Sequence, residues 1–363
     1  MTSREKEILE LLKKNPQISQ QELADILGIT RSSAAVHITN LMKKGYILGK
    51  GYLLKAQDYV VVIGGANIDI HGFPKIKLIP RDSNPGNIKT SPGGVGRNIA
   101  ENLSKLGVAV KLLSALGEDL HGENLLKECK KSGIDMDHCY FSKDFPTSTY
   151  LCILDHNGDM FAAIADMKIQ EKISVEYIRE KAHIIDHASV AILDTNLPED
   201  TLTYLLQHFH STDFFLDPVS TTKAEKVKDK IGLFHTIKPN RMEAEILSGA
   251  SIRSEADLKT AAIYFFSKGV KRVFITLGED GLYCGEPSEQ YLLQSPKVSP
   301  VNATGAGDAF MAALAYCHTQ QMSLKDTAHF ATAASIVALS HEDTIHPLMS
   351  IDTVQKKLRE LNL

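Results

Sequence analysis

The chain has no C-x-x-C pair and no plausible disulfide framework. Its five cysteines, Cys129, Cys139, Cys152, Cys284 and Cys317, are scattered and read as buried, reduced thiols. No apolar run approaches the ~18 residues that a membrane span needs. Neither sign of charge dominates: a net charge of −4 over 363 residues makes no global case for nucleic acid or an acidic membrane surface. A G-x-x-x-x-G-K-[ST] loop is missing, which argues against a Walker-type NTPase. Internal repeats and low-complexity tracts are missing too. The opening residues, Met1 to Glu7, lead straight into an amphipathic helix pattern rather than a signal peptide. These absences lead to the expectation of a cytoplasmic protein.

The apolar content of 43% and charged content of 23% are ordinary for a globular protein with ample core. The length suggests one large domain plus an appendage. Charge locates the boundary. Up to Ala56 there are nine Lys/Arg against five Asp/Glu, and beyond it 31 against 39. A small basic head, 1–56, therefore precedes an acidic body, 57–363, and the two differ in charge as units with different partners would.

In the head, Ile8, Leu9, Leu11 and Leu12 fall on one helical face over 3–14. Asn15-Pro16 stops that helix. Ser19 and Glu22 have capping-box spacing, and Gly28 suits a left-handed helix end. Thr30 caps a third helix with Ala34, Ile38, Leu41 and Met42 on its apolar face. Gly45 ends it, and 46–54 alternates like a two-stranded wing. Three short helices and a hairpin resemble the DNA-binding heads of bacterial winged helix-turn-helix regulators. By that resemblance helix 30–43 enters a major groove, with Arg31, Ser32, Ser33 and His37 nearest the bases and Lys43, Lys44 and Lys50 near phosphates. The alternative is a dimerisation or docking module without DNA.

In the body, Tyr59-Val-Val-Val-Ile-Gly-Gly looks like a buried parallel strand. Helix patterns at 96–106, 121–131, 199–208, 241–247 and 255–268 alternate with strand patterns at 109–115, 189–194, 213–217, 234–237 and 271–276. That alternation predicts an α/β fold with a mostly parallel, doubly wound sheet. Residues 68–90 and 147–165 break it. Asn157-Gly158 between two strand-like runs signals a hairpin, so these stretches are expected to form a small β lid over the sheet's carboxyl edge.

The most specific chemistry lies at Asn302-Ala-Thr-Gly305-Ala306-Gly307-Asp308. A glycine turn running into a helix of small residues exposes backbone N–H groups as an anion site. Asp308, at the helix start, could accept a proton from an attacking hydroxyl, or be an ordinary first-turn carboxylate. A second cluster, Gly93-Gly94-Val-Gly96-Arg97-Asn98, lacks dinucleotide-fingerprint spacing. It would let a ligand approach the backbone, with Asn98 offering an amide, or be a plain turn.

These motifs resemble, in order, those of the ribokinase-like (PfkB) carbohydrate and nucleoside kinases over about 58–360. The resemblance implies that Asn67 and Asp69 bind substrate hydroxyls, with Gly93, Gly94, Asn98 and Thr149 also at the substrate. It implies that Lys238-Pro-Asn240-Arg-Met-Glu243 organises Mg²⁺ through water by Asn240 and Glu243. Thr276, Gly278 and Gly281 would lie beside the nucleotide, ATP. Gly305, Ala306 and Gly307 would form the anion hole and Asp308 the base. Asp166, Asn196 and Lys223 sit in stretches that resemble the pseudouridine kinase branch, the first two at the substrate and Lys223 near phosphates; singly, each could be a turn or cap residue. The expected acceptor is pseudouridine, with another nucleoside or a free sugar as the alternative. Asn302 stands where many relatives carry an Asp that helps bind a monovalent cation, which puts potassium activation in doubt; loop 338–346 would complete such a site and edge the adenine pocket. The resemblance also implies a homodimer joined through the lid. A reading of another class remains: a ligand-sensing transcription factor with a kinase-like body.

Overall fold

The computed structural model describes residues 1–16, 18–47, 58–302 and 304–363, and the chain separates into two compact units, Met1–Gln57 and Asp58–Leu363. The small unit holds the helices Ser3–Lys14, Gln20–Leu27 and Arg31–Lys43. Each begins at a hydroxyl N-cap, Thr2, Ser19 and Thr30. Ser19 and Glu22 form a reciprocal capping box, and Gly28 closes that helix at φ 61°. Ile8, Leu12, Ile18, Leu23, Ile38, Leu41 and Ile47 make the core. Met42, expected on the apolar face, is exposed. The stripe runs 34, 38, 41, and the residue after Leu41 turns about 100° away from it. Lys44 also departs from expectation. Its ammonium donates to both oxygens of the buried Glu5 at 2.8 Å, so it ties the first helix to the third instead of standing free for a phosphate. Most of the wing-like stretch 46–54, Lys50 included, lies outside the described residues.

The large unit is built on eight strands in the order Glu289–Leu293, Leu282–Glu286, Arg272–Thr276, Thr236–Ile237, Asp213–Asp217, Val190–Asp194, Val60–Ile63, Val110–Leu113. The six strands from Arg272–Thr276 to Val110–Leu113 are parallel, and the two at the other edge are antiparallel. Every residue of Val60–Ile63 is buried, as a strand covered on both faces must be. Val60 and Val62 join a core with the helices Val95–Lys105, Ala306–Thr319 and Leu324–Leu339. Val61 and Ile63 join the opposite core, with Glu199–His208, Arg241–Ser248 and Glu255–Lys268. Alternation along one strand thus serves two helical layers.

Two expected strands are shorter than their patterns. The run 109–115 ends at Leu113, after which Ala115–Gly117 pairs with Tyr140–Ser142 in a separate ribbon. The run 234–237 contributes only Thr236–Ile237.

A second sheet of four strands has the order Gly86–Gly93, Asn67–Pro74, Thr149–Leu154, Met160–Asp166. It is the lid anticipated from 68–90 and 147–165. Its central pair is parallel and its outer pairs antiparallel. The Asn157-Gly158 turn is wider than a two-residue hairpin. Asp155 Oδ1 accepts from the N–H groups of Asn157 and Asp159, and Gly158 takes φ 89°. Among the described residues, no helix is long and apolar enough to cross a membrane.

Candidate active site

Parallel strands deliver their carboxyl ends side by side, and here two of those ends are aspartates in direct register, Asp194 and Asp217. Asp194 is 1% exposed. Its Oδ2 accepts the N–H groups of Gly65 at 2.7 Å and Gly96 at 2.9 Å, and its Oδ1 accepts that of Asn196 at 2.9 Å. One carboxylate therefore fastens the turn after the first strand to the start of helix Val95–Lys105. Burial pushes its pKa up, and the N–H donors pull it back.

That helix carries Arg97 and Asn98 into the cleft. The Arg97 guanidinium donates to the Pro92 carbonyl, to Glu101 and to Asn98 Oδ1. With its oxygen so occupied, Asn98 turns its amide nitrogen to Asp308, donating to Oδ2 at 2.7 Å. The two glycine motifs, 210 residues apart, meet at this hydrogen bond.

Asp308 lies in the first turn of helix Ala306–Thr319, whose N-cap, Gly305, has φ 85° and offers no side-chain cap. A β-carbon on Gly305 would lie 2.1 Å from the Thr344 carbonyl oxygen, so only glycine lets this turn press against loop 338–346. Asn302 joins the same two segments, donating to the Glu342 carbonyl at 2.8 Å and accepting from the Thr304 N–H at 2.9 Å. The uncapped first-turn N–H groups of such a helix form a site for an anion.

Beside it stands a buried cation, Lys238. Its Nζ pairs with Asp217 Oδ2 at 2.9 Å and lies 3.1 Å from where a β-carbon on Gly307 would be. Asp217 Oδ1 accepts the Val219 N–H at 3.0 Å, with Val219 held at φ 61°, a strained geometry for a β-branched residue. Burial opposes the charge on Lys238, yet the carboxylates of Asp217, Glu243 and Asp308 hold its pKa above the ordinary value. Asp308 is raised to about 7, first by burial and then by Asp217, with Asn98, Lys238 and Arg97 pulling the other way. A carboxylate poised near neutrality can take up a proton at ordinary pH, as a general base must.

The remaining expected residues are held by local partners. Asn67 donates to Asp69 at 2.6 Å, and burial raises the Asp69 pKa. Gly93 lies opposite Asn67, and Gly94 caps helix Val95–Lys105. Thr149 lies opposite both Ile68 and Asp166; Asp166 is exposed. Lys223 Nζ donates to Asn196 Oδ1 at 2.5 Å, so two residues assigned to different ligands hold each other. Asn240 and Glu243 form a reciprocal capping box. Asn240 also bridges to Thr276, and the turn Gly278 to Gly281 follows, pinned through Asp280 to Arg241 at 2.8 Å. Glu243 uses Oε2 for the cap, while burial raises its pKa. Its other oxygen makes no hydrogen bond among the described residues. A lone carboxylate beside an amide suits a magnesium ion that keeps most of its water.

Asp194, Asp217 and Lys238 were given no role from the sequence. A signal was available: Ile-Leu-Asp194 and Phe-Leu-Asp217 both end apolar strands in an acid, and adjacent parallel strands bring such ends together.

The residues 57–351 match the model of the pfkB family carbohydrate kinases. This chain belongs to that family. Residues 1–47 match a winged helix-turn-helix DNA-binding model. Over 353 residues the chain is 40% identical to an uncharacterized sugar kinase, YeiI, of Escherichia coli (strain K12), covering 97% of this chain and 98% of that one. It is 42% identical over 302 residues to the pseudouridine kinase of the same organism, covering 83% and 96%. A crystal structure of a putative sugar kinase from Clostridium perfringens superposes with a TM-score of 0.78 at 43% identity, covering 84% and 96%. The protein is a kinase of ribokinase-like fold with an N-terminal winged helix-turn-helix.

The raised Asp308 pKa gives two linked outcomes. If Asp308 is the base it works deprotonated, so log kcat/KM should climb with pH and level off above about 7. Folding stability runs the other way. A carboxyl raised from 3.8 takes up a proton on folding, so its contribution is full below the unfolded value and is lost as pH rises through about 7. Asp308→Asn should therefore lower kcat by orders of magnitude, change KM little, and raise the urea midpoint at pH 8 but not at pH 4. A variant within tenfold of wild-type turnover would remove Asp308 from the role of base.

Proposed function

We propose that the enzyme phosphorylates pseudouridine to pseudouridine 5'-phosphate, using Asp308 as base. The observation that carries the chemistry is the Asn98–Asp308 hydrogen bond at the mouth of an uncapped glycine turn. Phosphoryl transfer needs positioning and charge neutralisation more than covalent help. Asp69 and Asn98 fix the acceptor hydroxyl, and Asp308 takes its proton. The 305–307 N–H groups and Lys238 absorb charge on the phosphoryl group in flight. Asn196 with Lys223, and Asp166 with Thr149, line the acceptor and phosphate sides. Asn240 and Glu243 hold Mg²⁺ through water, and the ion when bound supplies positive charge to the ATP phosphates. Thr276, Gly278 and Gly281 border the nucleotide, and the lid excludes water that would otherwise consume ATP. Asn302 gives its amide to the Glu342 carbonyl, which supports a monovalent-cation site weakened relative to relatives with Asp.

The acceptor is supported by the 42% identity to a pseudouridine kinase; the equally similar YeiI is described only as a sugar kinase. ATP consumption should be followed with pseudouridine, uridine, inosine, guanosine and ribose at equal concentrations. Pseudouridine should give the highest kcat/KM. Turnover with inosine or ribose and none with pseudouridine would overturn the acceptor while leaving the kinase assignment in place.

The head supports a second activity, DNA binding. Arg31 and Ser32 are exposed at the start of the third helix and Lys43 at its end, where a recognition helix presents them. The lid supports the homodimer that a palindromic site would need: all seven residues of its outer strand Met160–Asp166 are exposed, including Met160, Phe161 and Ile164, an open edge suited to a second copy. The full-length protein should shift DNA from upstream of its own gene, and Arg31→Ala should weaken that shift without changing kinase turnover. A shift equal in wild type and Arg31→Ala, or none in wild type, would dismiss this reading of the head.

A further inference from the structure

The three elements that carry Asp217, Lys238 and Asp308 at the cleft carry a second set of polar side chains at their other ends. Strand Asp213–Asp217 begins with Asp213. His235 immediately precedes strand Thr236–Ile237, which leads to Lys238. His318 sits in the last turn of helix Ala306–Thr319, ten residues beyond Asp308, or about 15 Å at the helical rise. One donor atom from each, two imidazole nitrogens and a carboxylate oxygen, all lie within 4.8 Å of one another. His318 Nε2 is 3.0 Å and His235 Nε2 is 3.8 Å from Asp213 Oδ2.

We infer that Asp213, His235 and His318 form a binding site for a first-row transition-metal dication such as Zn²⁺ on the face of the sheet's amino ends, separate from the Mg²⁺ position at the catalytic cleft. Two neutral imidazoles and one carboxylate are a donor set such an ion favours, and three protein ligands leave a fourth position for water. Ligands bound at about 2.0–2.1 Å in tetrahedral geometry stand roughly 3.3 Å apart. The two carboxylate–imidazole separations, 3.0 and 3.8 Å, bracket that value, and the two imidazole nitrogens lie within 4.8 Å of each other.

The surroundings support ligation. His235 Nδ1 lies 2.9 Å from Thr236 Oγ1. When Nδ1–H donates there, Nε2 is left with its lone pair toward Asp213, the orienting hydrogen bond common to metal-bound histidines. Phe215 stacks on His235 with ring planes 9° apart and meets His318 edge-on, which limits the rotation of both rings. The dipole of Ala306–Thr319 places partial negative charge at the His318 end, which favours a cation. The opposing charges are Arg272 and Lys271, and Glu286 at 3.3 Å neutralises part of the first.

The simpler alternative is a metal-free Asp213–His318 ion pair, and a direct measurement separates the two. Metal-free, full-length protein without nucleotide is titrated with Zn²⁺ against a chromogenic chelator, and with Co²⁺ by its visible d–d absorption. Wild type should take up one tight equivalent and show the intensified Co²⁺ band of a tetrahedral site. His318→Gln should lose both while keeping its kinase turnover, which certifies the fold. Thr236→Val, which keeps all three ligands, should weaken Zn²⁺ binding by about tenfold. A His341→Gln/His346→Gln double variant, which removes another close histidine pair, should bind as wild type does. The inference is overturned if wild type binds no tight equivalent, if His318→Gln retains it, or if the His341/His346 variant loses it.

Discussion

The candidate site hangs on a single buried carboxylate. Asp194 accepts three N–H groups from segments that the chain order keeps far apart: Gly65 after the first strand, Gly96 at a helix start, and Asn196 in its own turn. An ion buried this deeply is tolerable only when its lone pairs are filled by donors. Those donors are backbone groups, so satisfying the charge fixes main-chain positions rather than side-chain ones. Asn98 lies two residues beyond Gly96, and Asn67 two beyond Gly65. The reach of both amides therefore follows from where Asp194 ends its strand.

One strand along, the same device is used for electrostatics. Asp217 accepts from the strained Val219 N–H and pairs with Lys238. Its negative charge helps raise Asp308 toward neutrality, while Lys238 restrains the rise. A buried pair of this kind is a poor source of stability, since desolvation offsets most of the attraction. Its value is positional. The ammonium is held against Gly307 without needing a ligand to hold it, so an anion at that helix start would meet a charge already in place.

Much of this was legible in the sequence, and the reason differs from residue to residue. Asp308 and Asn98 could be found because each lies inside a local glycine motif whose backbone demands are written in adjacent letters. The alternation of strands and helices gave the layers, and the lid showed as a break in that alternation. Lys238, Asp217 and Asp194 were harder, because their meaning is a pairing between strands 20 or more residues apart, and a lone Asp at a strand end has many uses. Lys44 misled for a related reason: a basic residue after a recognition-type helix reads as a phosphate contact until its partner, Glu5, is seen 39 positions earlier. The strand 109–115 looked continuous because apolar spacing persists across Ser114, where the chain leaves one sheet for another.

The Asn240–Glu243 pair shows why a cap and a ligand site need not compete. In a capping box each side chain satisfies the other's backbone N–H, which here uses the Asn240 oxygen and leaves one Glu243 oxygen without a hydrogen bond among the described residues. The box removes the rotamer freedom that an incoming ion would otherwise have to freeze, so ordering is completed during folding rather than during binding. Burial also raises the Glu243 pKa, meaning its charge is held against a desolvation penalty. A cation arriving beside it relieves that penalty, and the gain scales with how poorly the carboxylate was solvated beforehand. The same bond that starts helix Arg241–Ser248 therefore fixes a partly desolvated carboxylate near the buried Lys238, where a cation would be favoured.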